Sequence, residues 1–181
     1  MRNRYREIWQ SVNRPGTNEL LDWLDGTDFY TAPCSTRHHL AREGGLVEHS
    51  LNVYDYLCLK VDPDDTAKIV ALGHDLCKAD YYGQEMRNVK ENGVWIKKPY
   101  YTVKDKLPYG HGEKSVLLLQ RFMKLKTEEV MAIRWHMGGF TPGMSDYSMN
   151  QAFSEAAKRY PLIILLHAAD MEATYIKEVE K

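Results

Sequence analysis

Cysteine is scarce in this chain: Cys34, Cys58 and Cys77 are the three present among 181 residues. An odd number with no C-x-x-C spacing excludes a disulfide framework and a thiolate zinc knuckle, so the three read as reduced intracellular thiols. Long apolar runs are also missing. The longest, "PLIILLHAA" at 161–169, falls well short of the ~20 residues that span a bilayer. The opening "MRNRYREIWQ" is charged and does not read as a signal peptide, which points to a cytoplasmic location without a membrane partner. No excess of one charge exists either: 24 Lys and Arg stand against 25 Asp and Glu. Bulk attraction to nucleic acid is thereby unsupported, and no stable nucleic-acid partner is expected. No internal repeat or low-complexity linker divides the chain, so residues 1–181 read as a single domain.

What is there is mostly helix. A first helix is expected over about 2–12, and "TNELLDWLDG" follows as a second with Thr17 as its cap, so that helices occupy 1–30. Residues 31–45 read as irregular up to Gly44-Gly45. From Leu46 to Lys60 the apolar residues recur at helical spacing. Asp62, Pro63 and Asp64 then open a helix running to about Leu76. The pattern changes over 86–103, where two β-branched and aromatic runs flank Asn92-Gly93. That dipeptide favours a two-residue hairpin turn whose central residues both need positive φ. The hairpin, carrying Lys97, Lys98, Tyr100 and Tyr101, serves either as a substrate-reading arm or as an edge guarded by lysines. Helices resume at "GEKSVLLLQRFMK" and at "TEEVMAIRWHM", the latter with Thr127 as cap. The loop "GGFTPGMSDYSMN" follows, and two further helices, the second started by Pro161, close the chain. The class is mainly α with a small β-hairpin insertion around 86–103. Its apolar helix faces suit a homodimer as well as a core.

The chemistry-bearing residues sit next to apolar runs, which aims them inward. His49 lies in "GGLVEHSLNV", His74-Asp75 end "IVALGHD", His111 opens "HGEKSV", His136 closes "AIRWHM" and Asp170 follows "IILLHAA". A lone histidine in a helical core is usually a satisfied structural residue. Four histidines and two aspartates, all placed to face one interior, instead form a ligand set for divalent metals. A set free of cysteine favours Mn, Mg, Fe, Ni, Co or Zn held by N and O donors over a structural thiolate site.

In this order and spacing, His49, His74-Asp75 and Asp170 resemble the HD-domain superfamily of metal-dependent phosphohydrolases, over roughly 38–172. His111 and His136 resemble the two extra histidines of members that hold a second metal. "HHLAREGGLVEHS" is also similar to the HD domains of some 3′-to-5′ exoribonucleases and their stand-alone relatives. The resemblance implies an HD-type helical bundle and hydrolysis of a nucleotide, an oligonucleotide end or a related small phosphoester, as a phosphatase or phosphodiesterase. It also implies one or two divalent metal ions. His49, His74, Asp75 and Asp170 would hold the first ion, with Asp75 bridging to a second completed by His111 and His136. "HDLCKAD" lacks the Glu-Asp pair of alarmone hydrolases, and no GYP-type motif is present, which demotes ppGpp and cyclic di-GMP.

Asp75 and Lys78 are the candidate catalytic residues. Lys78, one turn past His74, would contact substrate phosphate or hold Asp75, although a cation is also favoured at any helix C-terminus. Arg134 and His39, or His38 beside it, are candidate substrate contacts. His167 reads as a core histidine or a partner of the ligands. The same six ligands would serve a di-iron centre that oxidises substrates with O₂, or a non-catalytic metal-stabilised nucleotide-binding module.

Overall fold

The computed structural model describes residues 1–179. Eight α-helices are present among them: α1 (Arg2–Gln10), α2 (Thr17–Asp25), α3 (Gly45–Leu57), α4 (Asp65–Gly73), α5 (His111–Leu119), α6 (Thr127–Trp135), α7 (Tyr147–Arg159) and α8 (Leu162–Glu172). Between α4 and α5 the chain makes an antiparallel hairpin of β1 (Tyr82–Glu91) and β2 (Val94–Val103). The fold is mainly α with a small β insertion, as the periodicity requires. No helix among the described residues is long and apolar enough to cross a membrane.

Helix α3 lies against α4 and α8, and α6 bridges α5, α4 and α8. Leu46, Val53 and Leu57 of α3, Ile69 and Leu72 of α4, Ile133 of α6 and Leu166 of α8 are fully buried between them. Helices α1 and α2 cover one end with Tyr5, Trp9, Leu20 and Leu24, and the Tyr5 hydroxyl donates to Leu72 O at 2.9 Å. This aromatic end needs no ligand to hold it. Two glycine positions set the approach of elements around the site. A Cβ on Gly112 would lie 2.4 Å from Arg134 O, so only glycine lets α5 start against the end of α6. A Cβ on Gly45 would lie 2.1 Å from Leu40 O, and Gly44 before it has φ +74°, so the glycine pair turns the irregular segment directly into α3.

Several boundaries differ from those expected. The hairpin starts at Tyr82 instead of residue 86: Gly83 and Gln84 hide the strand, but they pair with Thr102 and Tyr101, and the Tyr82 hydroxyl anchors it to Cys34 O. Asn92 and Gly93 have φ +48° and +82°, the positive-φ turn expected of that dipeptide. Helix α1 stops at Gln10 and α3 at Leu57, two and three residues early. Helix α4 stops at Gly73, so His74 and Asp75 form the turn leading into a short helical turn at Leu76–Lys78. Thr17 and Thr127 are first helical residues rather than caps; Glu129 accepts from Lys126 N at the start of α6. The expected loop at 138–150 ends early, because the Asp146 carboxylate accepts from Ser148 N and Met149 N and starts α7. The closing helix is regular only to Glu172 and then widens into a π-helical turn at Ala173–Lys177.

Candidate metal centre

The six expected ligands converge, each delivered by a different part of the bundle. His49 comes from the second turn of α3, His74-Asp75 from the end of α4, His111 from the first residue of α5, His136 from the end of α6 and Asp170 from α8. His49, His74, Asp75 and His136 are essentially buried. Two ligands on one ion with bonds of ~2.0–2.2 Å lie about 2.8–3.6 Å apart, between right-angle and tetrahedral geometry. His49 Nε2 lies 3.3 Å from His74 Nε2 and 3.2 Å from Asp170 Oδ1, and His74 Nε2 lies 3.5 Å from Asp75 Oδ2. On its other oxygen, Asp75 Oδ1 lies 2.8 Å from His111 Nε2 and 3.8 Å from His136 Nε2. Asp75 thus turns one carboxylate oxygen toward each of two overlapping donor groups.

The proton positions fit a cation at this point. His74 Nδ1 donates to Ala71 O at 2.8 Å and His136 Nδ1 to Ile133 O at 2.7 Å. Both are last-turn carbonyls, free because no following helical N–H claims them. Burial keeps both imidazoles neutral, with His136 pushed down to about 3 by burial and by its neighbours His74 and His111. Each therefore presents an Nε2 lone pair inward. Asp75 Oδ1 is buried with no aligned hydrogen-bond donor despite the close approach of His111 Nε2. Inward lone pairs around an unsatisfied carboxylate oxygen call for a positive charge. The buried His/Asp cluster is one that could hold a metal ion. No protein-family model, curated protein or solved structure matches the chain. The centre's own geometry therefore has to carry the functional reading.

Charge within the centre is arranged to keep Asp75 ionised. Burial alone would raise its pKa, but Lys78 and the surrounding histidines outweigh that and hold it well below the usual carboxylate range. Lys78 Nζ contacts Asp75 Oδ2 at 2.7 Å, and this pairing keeps the lysine charged against its own burial. Burial likewise opposes charge on His111, yet contacts with Cys77 and Asp75 raise it to about 10. His49 is also raised, against burial, by Cys34, Asp170 and Glu178. In the ion-free chain, protons on these two rings offset the carboxylates that a metal would otherwise neutralise.

The centre forms the floor of a cavity of about 770 Å³. Lys78, His38 and His39 line it, and so does His167, whose Nδ1 donates to His136 O at 2.7 Å. Arg134 does not line it. Its guanidinium pairs with Glu113 at 2.6 Å and lies over the Trp135 ring, so the expected substrate contact is turned into the α5–α6 joint. At the base of the hairpin, Tyr82 and Val103 line the cavity, whereas Trp95 near the tip stands exposed. Two residues in the site escaped the sequence reading. Cys34 is buried with its thiol 3.6 Å from Lys78 Nζ and 3.9 Å from His39 Nε2; its irregular surroundings gave no periodicity to place it. Glu178 is the other, with its carboxylate 3.1 Å from His49 Nδ1 and 2.6 Å from His39 Nδ1.

Proposed function

We propose that this chain is a metal-dependent phosphohydrolase of the HD-domain type, a phosphatase or phosphodiesterase acting on a nucleotide or related small phosphoester. The observation that carries the reading is the split of Asp75, one buried oxygen toward His49 and His74, the other toward His111 and His136. On this reading His49, His74, Asp75 and Asp170 would hold one divalent ion, and His111 and His136, with Asp75, would hold a second. The N/O donors admit Mn, Mg, Fe, Ni, Co or Zn. Ions bound there would supply Lewis acidity, acidifying water and offsetting phosphoryl charge.

The protein's own groups do the rest. Lys78 holds Asp75 as a carboxylate and brings an ammonium to the cavity floor, where a substrate phosphate would meet it. His39, raised to about 9 because contacts with Cys34 and Glu178 outweigh burial, brings a second cationic donor to the wall. Met137, Phe140, Met171 and Tyr175 also line the cavity and suit an apolar or aromatic part of the substrate, and the cavity volume matches a nucleotide-sized ligand. The same reading makes the protein a cytoplasmic enzyme of small phosphorylated substrates.

Elemental analysis followed by a phosphoester screen with each candidate metal tests this directly. Asp75→Ala is expected to lose bound metal and hydrolysis together, with rates falling by at least about a hundredfold. Wild-type metal content and rate in that variant would refute the assignment. Iron-dependent oxygen consumption without hydrolysis would replace it with a di-iron oxygenase.

A further inference from the structure

We infer that Glu178 is a positioning residue of the metal centre, fixing the His49 ring so that Nε2 faces the ion and tying His39 to the same anchor. The inference rests on the metal reading above. Three of the histidines differ in what their outer nitrogens can reach. His74 and His136 sit at helix ends and use the carbonyls three residues back. His49 lies within α3, where backbone carbonyls are already engaged; Leu46 O, three residues back, accepts from Ser50 Oγ. Its Nδ1–H needs an acceptor from elsewhere, and Glu178 supplies both carboxylate oxygens at 3.1 Å. The same carboxylate accepts from His39 Nδ1 at 2.6 Å and from Asn52 Nδ2 at 2.8 Å. His49 is thereby held from both sides, Nδ1 on Glu178 and Nε2 toward Asp170 and His74. A carboxylate at this position also makes the imidazole a stronger ligand than a carbonyl would.

The backbone explains how Glu178 arrives there. In a regular helix the eighth residue after Asp170 would point ~80° away from it, at 3.6 residues per turn. The π-helical turn absorbs one residue: Glu178 N donates to Ala173 O at 3.0 Å, five residues back. Glu178 then occupies the place of a seventh residue, ~20° from the direction of Asp170. Asp170 and Glu178 consequently reach the two nitrogens of one ring. An acid recruited only as a structural staple would not need to share the face of a metal ligand.

The test uses the full chain and Mn²⁺ alone as the probe. Calorimetry gives the Mn²⁺ affinity of the wild type, Glu178→Ala, Glu178→Gln and Glu178→Asp. Long-range ¹H–¹⁵N spectra of the ion-free proteins report the hydrogen-bonded Nδ1–H of His49. Removing the carboxylate is expected to weaken Mn²⁺ binding ~10–100-fold, the range for groups that orient ligand histidines. The His49 Nδ1–H signature should be lost in Glu178→Ala, and Glu178→Asp should recover part of the affinity. Should the alanine variant fail to fold, Glu178→Leu, which keeps the bulk but offers no acceptor, decides. Wild-type affinity and an unchanged His49 spectrum in whichever of these two variants folds overturn the inference alone; Glu178→Gln, whose amide oxygen still accepts from Nδ1–H, separates the acceptor from the charge. A wild type that binds no Mn²⁺ or other divalent ion overturns the metal reading and this inference with it.

Discussion

At the residue scale, the pairing of Lys78 with Asp75 makes a specific demand on stability. The ammonium is the nearest permanent cation to a carboxylate whose other neighbours are imidazoles that can gain or lose protons. Taking away one member of a buried pair leaves the other charge uncompensated and costs about 3 kcal/mol or more. Lys78→Met should therefore lower the melting temperature of the ion-free protein by roughly 6–12 °C for a chain of this size. Bound metal supplies a substitute charge, so the loss should be distinctly smaller with Mn²⁺ present; differential scanning calorimetry of both forms checks this. Protons set a second demand. His111, raised to about 10 from an ordinary 6.5, contributes stability to the ion-free fold that is complete below pH 6.5 and is lost as pH rises toward 10. His136, lowered to about 3, acts in the opposite sense, so stability falls as pH drops from 6.5 toward 3. An ion must displace the proton on His111. Apparent metal affinity should thus rise about tenfold per pH unit for each proton released, between pH 6 and 8. Titration calorimetry in buffers of different ionisation enthalpy counts those protons, and a pH-independent affinity would exclude His111 as a ligand that gives up a proton.

At the element scale, what could be read from the sequence depended on whether a residue sits on a regular repeat. His49, His74, His136 and Asp170 border apolar runs of helical period, so both their inward direction and their convergence were legible. Asn92-Gly93 announced the hairpin because positive φ restricts the turn to a few residue types. Glu178 was not legible for the same reason that the others were: a strict 3.6-residue period carries it off the face of Asp170, and only the extra residue of the π-helical turn returns it. Arg134 failed differently. Its spacing fits an inward position, but Glu113 on the neighbouring α5 captures it, and no single-helix pattern encodes a partner on another helix. The π-helical turn yields its own prediction. Ile176 is exposed, and deleting it should convert Ala173–Lys177 into regular α-helix while leaving the glutamate at the seventh position after Asp170. Metal affinity is expected to stay within about threefold of wild type, because phase, not π geometry as such, places the carboxylate. A loss as large as that of Glu178→Ala would show that the widened turn itself is required.

At the scale of the whole molecule, the centre is where five helical segments that share one apolar core meet. The end covered by α1 and α2 is closed by Tyr5, Trp9 and Phe29 without any ligand group. The ligand cluster brings α3, α4, α5, α6 and α8 together on imidazoles and carboxylates whose charges do not balance without protons or an ion. Folding free of metal should accordingly be cooperative but less stable, since one half of the bundle carries the closure. An ion that binds the folded chain alone adds about 2.7 kcal/mol when present at a hundred times its dissociation constant. For a protein of this length that corresponds to roughly 5–11 °C in melting temperature. The ion-free protein, stripped with chelator and then dialysed, should melt lower by that amount than the same protein with Mn²⁺ restored. In Asp75→Ala, which removes the group facing both donor sets, the shift should vanish while the transition stays single. Two transitions in the ion-free wild type would mean that the aromatic end and the ligand cluster fold separately, and that metal joins two units where one cooperative bundle is expected.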